Sequence, residues 1–160
     1  DSLFYLKLSD LIRVSGDQAE LPLKRGIDHM VELNGADSLS LTSLHGIGPV
    51  FAGRILKYRK ALGGFYASEQ LLEVYGMTGD KMDQIRGQVT VDPSLITPVR
   101  INFSDYRVLN MHPYISGEQA RKIIEWRSSN GPFPRKEVLL QDNLLDSATY
   151  RKVEPYISCP

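Results

Sequence analysis

The chain has 160 residues, 42% of them hydrophobic, which is enough for one domain or two small ones. Its 19 basic and 19 acidic side chains balance, so affinity for nucleic acid has to come from a local surface and not from net charge. A single cysteine, Cys159, excludes an internal disulfide and a zinc site of several cysteines, and no run of about 18 apolar residues predicts a membrane-spanning helix.

The sequence repeats itself at a distance of 68 residues. This shift aligns Val31–Thr90 with Val99–Ser158 without a gap. The identical pairs include Asn34/Asn102, Asp37/Asp105, Leu41/Leu109, Ile47/Ile115, Ala52/Ala120, Ile55/Ile123, Arg59/Arg127, Gly63/Gly131, Phe65/Phe133 and Glu69/Glu137. Internal similarity of this extent indicates two copies of one supersecondary unit, each stacked on its neighbour.

The boundaries of the copies follow from the same alignment. Asp1–Leu8 is similar to Asp146–Val153, which predicts that residues 1–14 are the last helix and tail of a truncated preceding repeat. An unrelated amphipathic helix is the alternative. Residues 15–30 contain Gly, Pro and charged residues typical of a linker. The first full repeat is predicted over residues 31–92 and the second over residues 99–160.

The spacing of apolar residues in the first repeat predicts four short helices. They are expected within residues 36–44, from Pro49 to Leu62, from Ser68 to about Tyr75, and around Met82 and Ile85, with an extended tail at Val89 and Val91. Pro49 suits the first position of a helix, and the Gly63-Gly64 pair suits the end of one. Little of the chain alternates with period two, so the predicted fold class is all-α, with two helix pairs in each repeat.

The first predicted turn, Leu44-His45-Gly46-Ile47-Gly48-Pro49, has the composition of an anion-binding loop. Gly46 and Gly48 lack a Cβ atom, so a ligand can approach their backbone closely. The unpaired N–H groups at the start of the following helix, together with the positive end of its dipole, suit a phosphate oxygen. Ile47 is expected to be buried and to hold the turn in place.

The pattern Leu41-x-x-Leu44-x-Gly46-Ile47-Gly48 followed by Ala52-x-x-Ile55 resembles the ComEA-like helix-hairpin-helix family. That family includes exported bacterial competence proteins that bind incoming double-stranded DNA. The tandem form resembles multi-repeat members of the family from Bacteroidetes-type bacteria. The resemblance covers residues 31–158 and is strongest over residues 34–76. It implies tandem helix-hairpin-helix repeats, each of two units, that bind double-stranded DNA independently of sequence, in an exported or membrane-anchored protein on the periplasmic side.

The segment Leu41–Pro49 also resembles hairpins of DNA polymerases and ligases. Some of those hairpins hold an alkali-metal ion on backbone carbonyls, between the turn and the phosphate. Carried over to this sequence, the resemblance implies that the carbonyls of Thr42, Leu44 and Ile47 hold Na⁺ or K⁺. No other cofactor and no small-molecule substrate are expected.

Local charge supports a nucleic-acid contact near this turn. No Asp or Glu lies between Ser38 and Ser68, and Arg54, Lys57 and Lys60 follow one another at a spacing that keeps them near one helix face. The predicted DNA-binding residues are therefore His45, Gly46, Ile47, Gly48, Val50, Arg54, Lys57 and Lys60. A solvated helix face is the alternative for the basic residues. Arg59 recurs as Arg127, and Asp37 recurs as Asp105, which favours structural ion pairs between them.

The second repeat departs from the pattern at its own turn. Tyr114 and Ser116 replace the two glycines, Glu118 lies in the first turn of the next helix, and Glu125 replaces Lys57. These changes oppose anion binding, so the second repeat is expected to be structural or to bind a protein. Tyr114 and the single tryptophan, Trp126, are candidates for an interface or for the core.

Three functions are compatible with these sequence features. The leading hypothesis is a non-enzymatic, sequence-independent DNA-binding protein, with a role in DNA uptake implied by the resemblance. The alternative is a protein-interaction scaffold on the same fold, favoured by the neutral net charge and the divergent second repeat. An enzyme is disfavoured, because the sequence has no recognisable catalytic triad, paired catalytic carboxylates, Walker loop or metal cluster.

Overall fold

A computed structural model describes residues 30–159 of the chain. The predictions for residues 1–14, and for all of the linker 15–30 except its last residue, concern residues outside that range. Within the described part no helix is both long and apolar enough to cross a membrane.

The two repeats contain the same elements in the same order. The first repeat consists of β1 Val31–Glu32, α1 Ser38–Thr42, α2 Pro49–Leu62, a 3₁₀ helix Ser68–Glu73, α3 Gly79–Ile85, a 3₁₀ turn Arg86–Gln88 and β2 Val89–Thr90. After a 3₁₀ turn at Pro93–Leu95, the second repeat consists of β3 Val99–Arg100, α4 Tyr106–Met111, α5 Gly117–Asn130, α6 Val138–Gln141, α7 Ser147–Val153, a 3₁₀ turn Glu154–Tyr156 and β4 Ile157–Ser158. The prediction of a largely helical fold built from tandem repeats is confirmed.

Two details differ from the sequence prediction. The predicted third helix of the first repeat is a 3₁₀ helix that ends at Glu73. The predicted extended tail is a short strand, because β2 pairs in parallel with β1 and β4 pairs in parallel with β3. These strands are two residues long, which is too short for a period-two pattern to appear in the sequence. Each repeat is therefore closed by a contact between its first and last segments.

Each repeat has its own apolar core. Leu41, Ile55, Phe65 and Met82 are fully buried in the first repeat, and Leu109, Ile123, Phe133 and Val153 are buried in the second. The first helix of each repeat begins at an aspartate, where Asp37 accepts the N–H of Ser40 and Asp105 accepts the N–H of Val108. Such N-caps stabilise a short helix by satisfying one of its unpaired N–H groups.

Two asparagines at equivalent positions connect the first strand of each repeat to its interior. Asn34 accepts the N–H of Phe65 at 2.6 Å and donates to the carbonyls of Phe65 and Asp92, both at 2.9 Å. Asn102 does the same with Phe133 and Cys159. Because the amide side chain supplies both donors and an acceptor, one residue satisfies three main-chain groups from two separate segments.

Arg59 and Arg127 do not form the ion pairs expected with the aspartates. The guanidinium of Arg59 donates to the carbonyls of Leu33 and Ala36, at 2.8 and 2.7 Å, and Arg127 donates to the equivalent carbonyls in the second repeat. Asp37 is occupied as a helix cap. The turn between the strand and the first helix leaves two carbonyls without a main-chain donor, and the planar guanidinium reaches both of them.

Replacing Arg59 with alanine leaves these two carbonyls without their donor. Arg59→Ala is expected to lower the free energy of unfolding by about 2 kcal/mol, and Arg127→Ala by a similar amount. Lys57→Ala, at an exposed position on the same helix, is the control and is expected to change it by less than about 0.5 kcal/mol. Urea denaturation measures all three. Equal losses for Arg59→Ala and Lys57→Ala contradict the assignment.

Candidate nucleic-acid interface

The turn between α1 and α2, which we call the first hairpin (Ser43–Gly48), has the predicted geometry. The carbonyl of Leu44 accepts the N–H of Ile47 at 3.1 Å, and Gly46 has a φ of +73°, which a residue with a Cβ rarely adopts. Ile47 is 3% exposed and packs into the core of the first repeat. The buried Ile47 side chain therefore anchors the turn in the core, while His45, Gly46 and Gly48 are exposed.

The start of α2 offers main-chain donors to solvent. Gly48 is the N-cap, with an extended backbone and no side-chain cap, and Pro49 occupies the first helical position. The first N–H groups of an α-helix have no partner within the helix, and proline has none, so the donors are those of Gly48, Val50 and Phe51. The first turn contains no acidic residue. The side chain of Val50 is 74% exposed, so a ligand can reach this helix end.

The three predicted basic residues do not meet at the hairpin. Arg54 donates to the carbonyl of Tyr75 at 3.2 Å, and its guanidinium lies 5.0 Å from the centre of the Tyr75 ring. Lys57 is exposed, about 13 Å along the helix from Gly48, and Lys60 is about 18 Å away at the other end. Arg54 therefore remains near the hairpin, whereas Lys60 belongs to a different surface.

The turn before α3, which we call the second hairpin (Val74–Thr78), lies beside the first. A Cβ atom built on Gly46 would lie 3.8 Å from Oε1 of Gln84 in α3, and Arg54 reaches from α2 to Tyr75. Gly76 has a φ of +89°, and Lys81 extends back to its carbonyl at 3.3 Å. The two hairpins of the first repeat thus form one surface.

Sequence reasoning missed Tyr75 and Lys81. Tyr75 is 82% exposed, and the Lys81 ammonium lies 5.0 Å from the centre of the Phe51 ring. The basic residues were predicted from the segment Ser38–Ser68, which contains no Asp or Glu. Lys81 lies outside this segment and stands between Asp80 and Asp83. The Gly76-Met77-Thr78 turn was the available signal, since it has the same buried apolar residue after a glycine as Gly46-Ile47-Gly48.

The third hairpin, His112–Ser116 of the second repeat, is occupied by the first repeat. The Tyr114 hydroxyl donates to Glu73 at 2.7 Å and accepts from Gln70 at 2.8 Å. The Tyr156 hydroxyl accepts from Gln70 at 2.7 Å and from the N–H of Tyr66 at 3.1 Å. We call this set of contacts the repeat junction. Of the two aromatic candidates, Tyr114 lies at this interface between the repeats.

Trp126 instead packs within the second repeat. Its ring stacks on Phe133 with centroids 4.3 Å apart, and its indole N–H donates to Asp142 at 2.6 Å. Tyr58, its equivalent in the first repeat, donates to Glu73, the carboxylate that also accepts from Tyr114. Burial and the hydrogen bond to Glu73 raise the pKa of Tyr114 to about 12, so its hydroxyl stays protonated above the pH at which a free tyrosine ionises.

The repeat junction encloses a histidine where the first repeat has Leu44. His112 is 2% exposed and lies between the rings of Tyr114 and Tyr156, at centroid distances of 5.5 and 5.2 Å. Its Nδ1 accepts the N–H of Tyr114 at 3.2 Å, which assigns the proton to Nε2, an atom without a hydrogen-bond partner among the described residues. Burial lowers the pKa of His112 to about 4, and the nearby Leu62 carbonyl offsets only part of that shift.

Of the carbonyls proposed to hold an alkali ion, that of Thr42 lies at the end of α1 and those of Leu44 and Ile47 lie on the first hairpin. The Leu44 carbonyl accepts one main-chain hydrogen bond, from Ile47, and a carbonyl oxygen has two lone pairs, so it retains one for a cation. Neutral oxygen ligands suit a hard ion such as Na⁺ or K⁺. The described residues include no group of three or more His, Cys, Asp or Glu side chains that could hold a metal ion.

The architecture and the glycine-containing hairpins define a class, that of tandem helix-hairpin-helix proteins. The family model described as the helix-hairpin-helix motif matches residues 27–90 and 95–158, so the chain belongs to this family. Motifs of this family generally bind nucleic acid.

One curated relative extends the comparison. The chain is 27% identical over 141 residues to the zebrafish (Danio rerio) protein named endonuclease/exonuclease/phosphatase family domain-containing protein 1. The alignment covers 77% of this chain and 26% of the relative, so the chain spans about a quarter of the relative's length. No solved structure matches the chain.

The buried histidine makes the stability of the protein depend on pH. The pKa of His112 is lower in the folded protein than the ordinary value of 6.5, so the unfolded chain binds the proton more tightly. The free energy of unfolding is therefore expected to be highest above pH 6.5 and to fall by up to about 1.4 kcal/mol per unit as the pH drops toward 4. Urea denaturation over this pH range measures the effect.

The matched variant is His112→Leu, which copies Leu44 of the first repeat. It removes the titrating group and the unpaired Nε2 atom, so its stability is expected to be the higher of the two at pH 5 and to show a flatter profile between pH 6.5 and 4. A profile as steep as that of the unmodified protein assigns the pH dependence to other groups.

Proposed function

We propose that this protein binds double-stranded DNA, independently of sequence, through the first hairpin. The main-chain N–H groups of Gly48, Val50 and Phe51 donate to a phosphate group at the start of α2, where the helix dipole favours an anion. The observation that supports this best is the N-cap itself. Gly48 has no side-chain cap, and a Cβ atom built on it would meet nothing within 4 Å, so the approach to the donors is open.

The second hairpin brings a further cation, Lys81, to the same surface, although Asp80 lies in the first turn of α3 beside it. Arg54 lies against the exposed ring of Tyr75, and Lys81 reaches the carbonyl of Gly76 and the ring of Phe51. Contacts from main-chain amides and cationic side chains go to phosphates and carry no direct sequence information. Two adjacent hairpins with few cations therefore support binding that is weak and indifferent to base sequence.

The proposal assigns DNA to the first repeat alone. In the second repeat, Ser116 caps α5 by accepting the N–H of Gln119 at 3.2 Å, and Glu118 lies in the first turn of that helix. Tyr114 is engaged with Glu73. The donors that Gly48 leaves open are thus partly satisfied in the second repeat, and a carboxylate lies where the phosphate would approach.

Two wider roles rest on resemblance. The similarity to ComEA-like proteins supports a place in DNA uptake, in an exported or membrane-anchored protein. The name of the zebrafish relative refers to an endonuclease/exonuclease/phosphatase domain. It supports a binding module that accompanies such chemistry, and we propose no catalytic role for these residues. The alkali ion on the carbonyls of Thr42, Leu44 and Ile47 is part of the same proposal and would bring a positive charge to the phosphate.

The experiment that tests this function is a titration of labelled random duplexes at several salt concentrations. With about two to four phosphates contacted, log K is expected to fall with log[salt] with a slope of roughly that number, and affinity near physiological salt to lie around 10⁻⁴ to 10⁻⁶ M. Duplexes of unrelated sequence are expected to bind equally. Failure to bind any duplex at low salt refutes the proposal.

The sharpest single substitution is Gly48→Asp. The φ of Gly48, −86°, suits any residue, and aspartate is a good N-cap. The free energy of unfolding of the variant is therefore expected to stay level or to rise by a few tenths of a kcal/mol. The same carboxylate accepts the N–H groups that the phosphate needs and repels the phosphate charge. DNA affinity is therefore expected to fall by about tenfold, or about 1.4 kcal/mol. Fluorescence anisotropy and urea denaturation measure the two effects.

The matched control is Ser116→Asp, at the equivalent N-cap of the second repeat. It also keeps a capping acceptor, so it is expected to change neither stability nor DNA affinity appreciably. If both variants weaken DNA binding equally, the two hairpins are equivalent and the assignment to the first repeat is wrong. If neither does, DNA contacts another surface.

A further inference from the structure

We propose that the groove between the two repeats is a docking site for an acidic amphipathic segment of a partner protein. We call it the linker groove. One wall is the last turn of α2 with Lys60, the floor is the connecting segment 97–100, and the other wall carries Phe103, Val108 and Met111. Its volume of about 440 Å³ lies within the range typical of sites that hold ligand side chains.

The groove is apolar and open. Phe103 is 66% exposed, Met111 is 56% exposed and Val108 is 45% exposed, and all three line the same hollow. Single exposed apolar residues are ordinary, but a contiguous set in a concavity is typical of an interaction site. The connecting segment that forms the floor is held in place, since the N–H of Thr97 donates to the carbonyl of Gly63 at 2.8 Å.

The first repeat shows that the fold does not need these side chains. At the three positions equivalent to Phe103, Val108 and Met111 the first repeat has Gly35, Ser40 and Ser43. Both repeats nevertheless have the same elements, the same asparagine and arginine contacts and the same paired strands. The apolar wall is therefore an added feature of the second repeat that the shared fold does not require.

The charge around the groove indicates the chemistry of the partner. Lys60 and Arg100 line it, and no aspartate or glutamate does. The guanidinium of Arg100 lies 4.4 Å from the centre of the Phe103 ring, so a cation and an aromatic face stand together. The equivalent of Arg100 in the first repeat is Glu32, whose carboxylate accepts the N–H groups of Asn34 and Gly35.

A peptide with apolar anchors and carboxylates matches both properties of the groove. An amphipathic helix fills such a site with side chains at positions i, i+3 and i+4, while its acidic residues reach the cations on the rim. A DNA backbone matches the cations but has no apolar groups for Phe103 and Met111. This also gives Lys60 a role at the end of α2 that is remote from the first hairpin.

The test uses the whole chain and two labelled peptides of about 14 residues, both with leucines at helical spacing. One has glutamates on the remaining face and the other has lysines. The glutamate peptide is expected to bind at least about tenfold more tightly than the lysine peptide. Val108→Ser/Met111→Ser, which copies the first repeat, is expected to weaken glutamate-peptide binding by about tenfold while leaving duplex DNA affinity unchanged.

Arg100→Glu provides the independent charge test. This substitution is expected to weaken binding of the glutamate peptide and to strengthen binding of the lysine peptide. Loss of folding cannot produce these opposite changes. The proposal is overturned if the unmodified protein binds both peptides equally, if either variant binds the glutamate peptide as tightly as the unmodified protein does, or if duplex DNA displaces the peptide in competition. It is also overturned if sedimentation velocity shows self-association that Met111→Ser abolishes, which assigns the groove to a second copy of this chain.

Discussion

The structure of each repeat depends on side-chain hydrogen bonds made to and from the turn that follows its first strand. A strand of two residues has few hydrogen bonds of its own, and the turn after it leaves carbonyls that α1 or α4 cannot pair. Arg59 and Arg127 donate to those carbonyls. Asn34 and Asn102, which lie in the turn itself, bond the main chain of the segments that pack against it. Because buried polar groups without partners are costly, this network explains why these residues recur in both repeats while many exposed ones do not.

This framework leaves the surfaces of the two repeats free to differ. The hairpins lie outside the network, so Gly46 and Gly48 can be replaced by Tyr114 and Ser116 without changing the order of elements. In the first repeat the hairpin remains open to solvent, and in the second it is used to join the repeats through Tyr114 and Tyr156. One fold thereby provides a turn that is open to solvent and a closed structural one within the 130 described residues, 30–159.

The tandem repeat and its period could be predicted because identical residues recur at a shift of 68. The hairpin at Gly46–Gly48 and the burial of Ile47 could be predicted because they depend on residues close in the chain. The sequence was insufficient for the pairing of β1 with β2, for the Arg59 contacts and for the repeat junction. Those join residues 23 or more positions apart, such as Arg59 with Ala36 and Tyr114 with Gln70. Helical spacing placed Arg54, Lys57 and Lys60 on one face, but the length of α2 separates Lys60 from the hairpin by about 18 Å. The predicted DNA-binding residues themselves stay predictions.

Amide chemical shifts measured during a titration with duplex DNA show directly whether the first hairpin binds it, because the proposed donors are main-chain N–H groups. The ¹H–¹⁵N spectrum is expected to change first and most at Gly46, Gly48, Val50 and Phe51, with smaller changes around Gly76 and Lys81, while Tyr114–Gln119 stays constant. Perturbations centred on Tyr114–Gln119, or spread evenly over exposed lysines and arginines with none at Gly48, contradict this expectation.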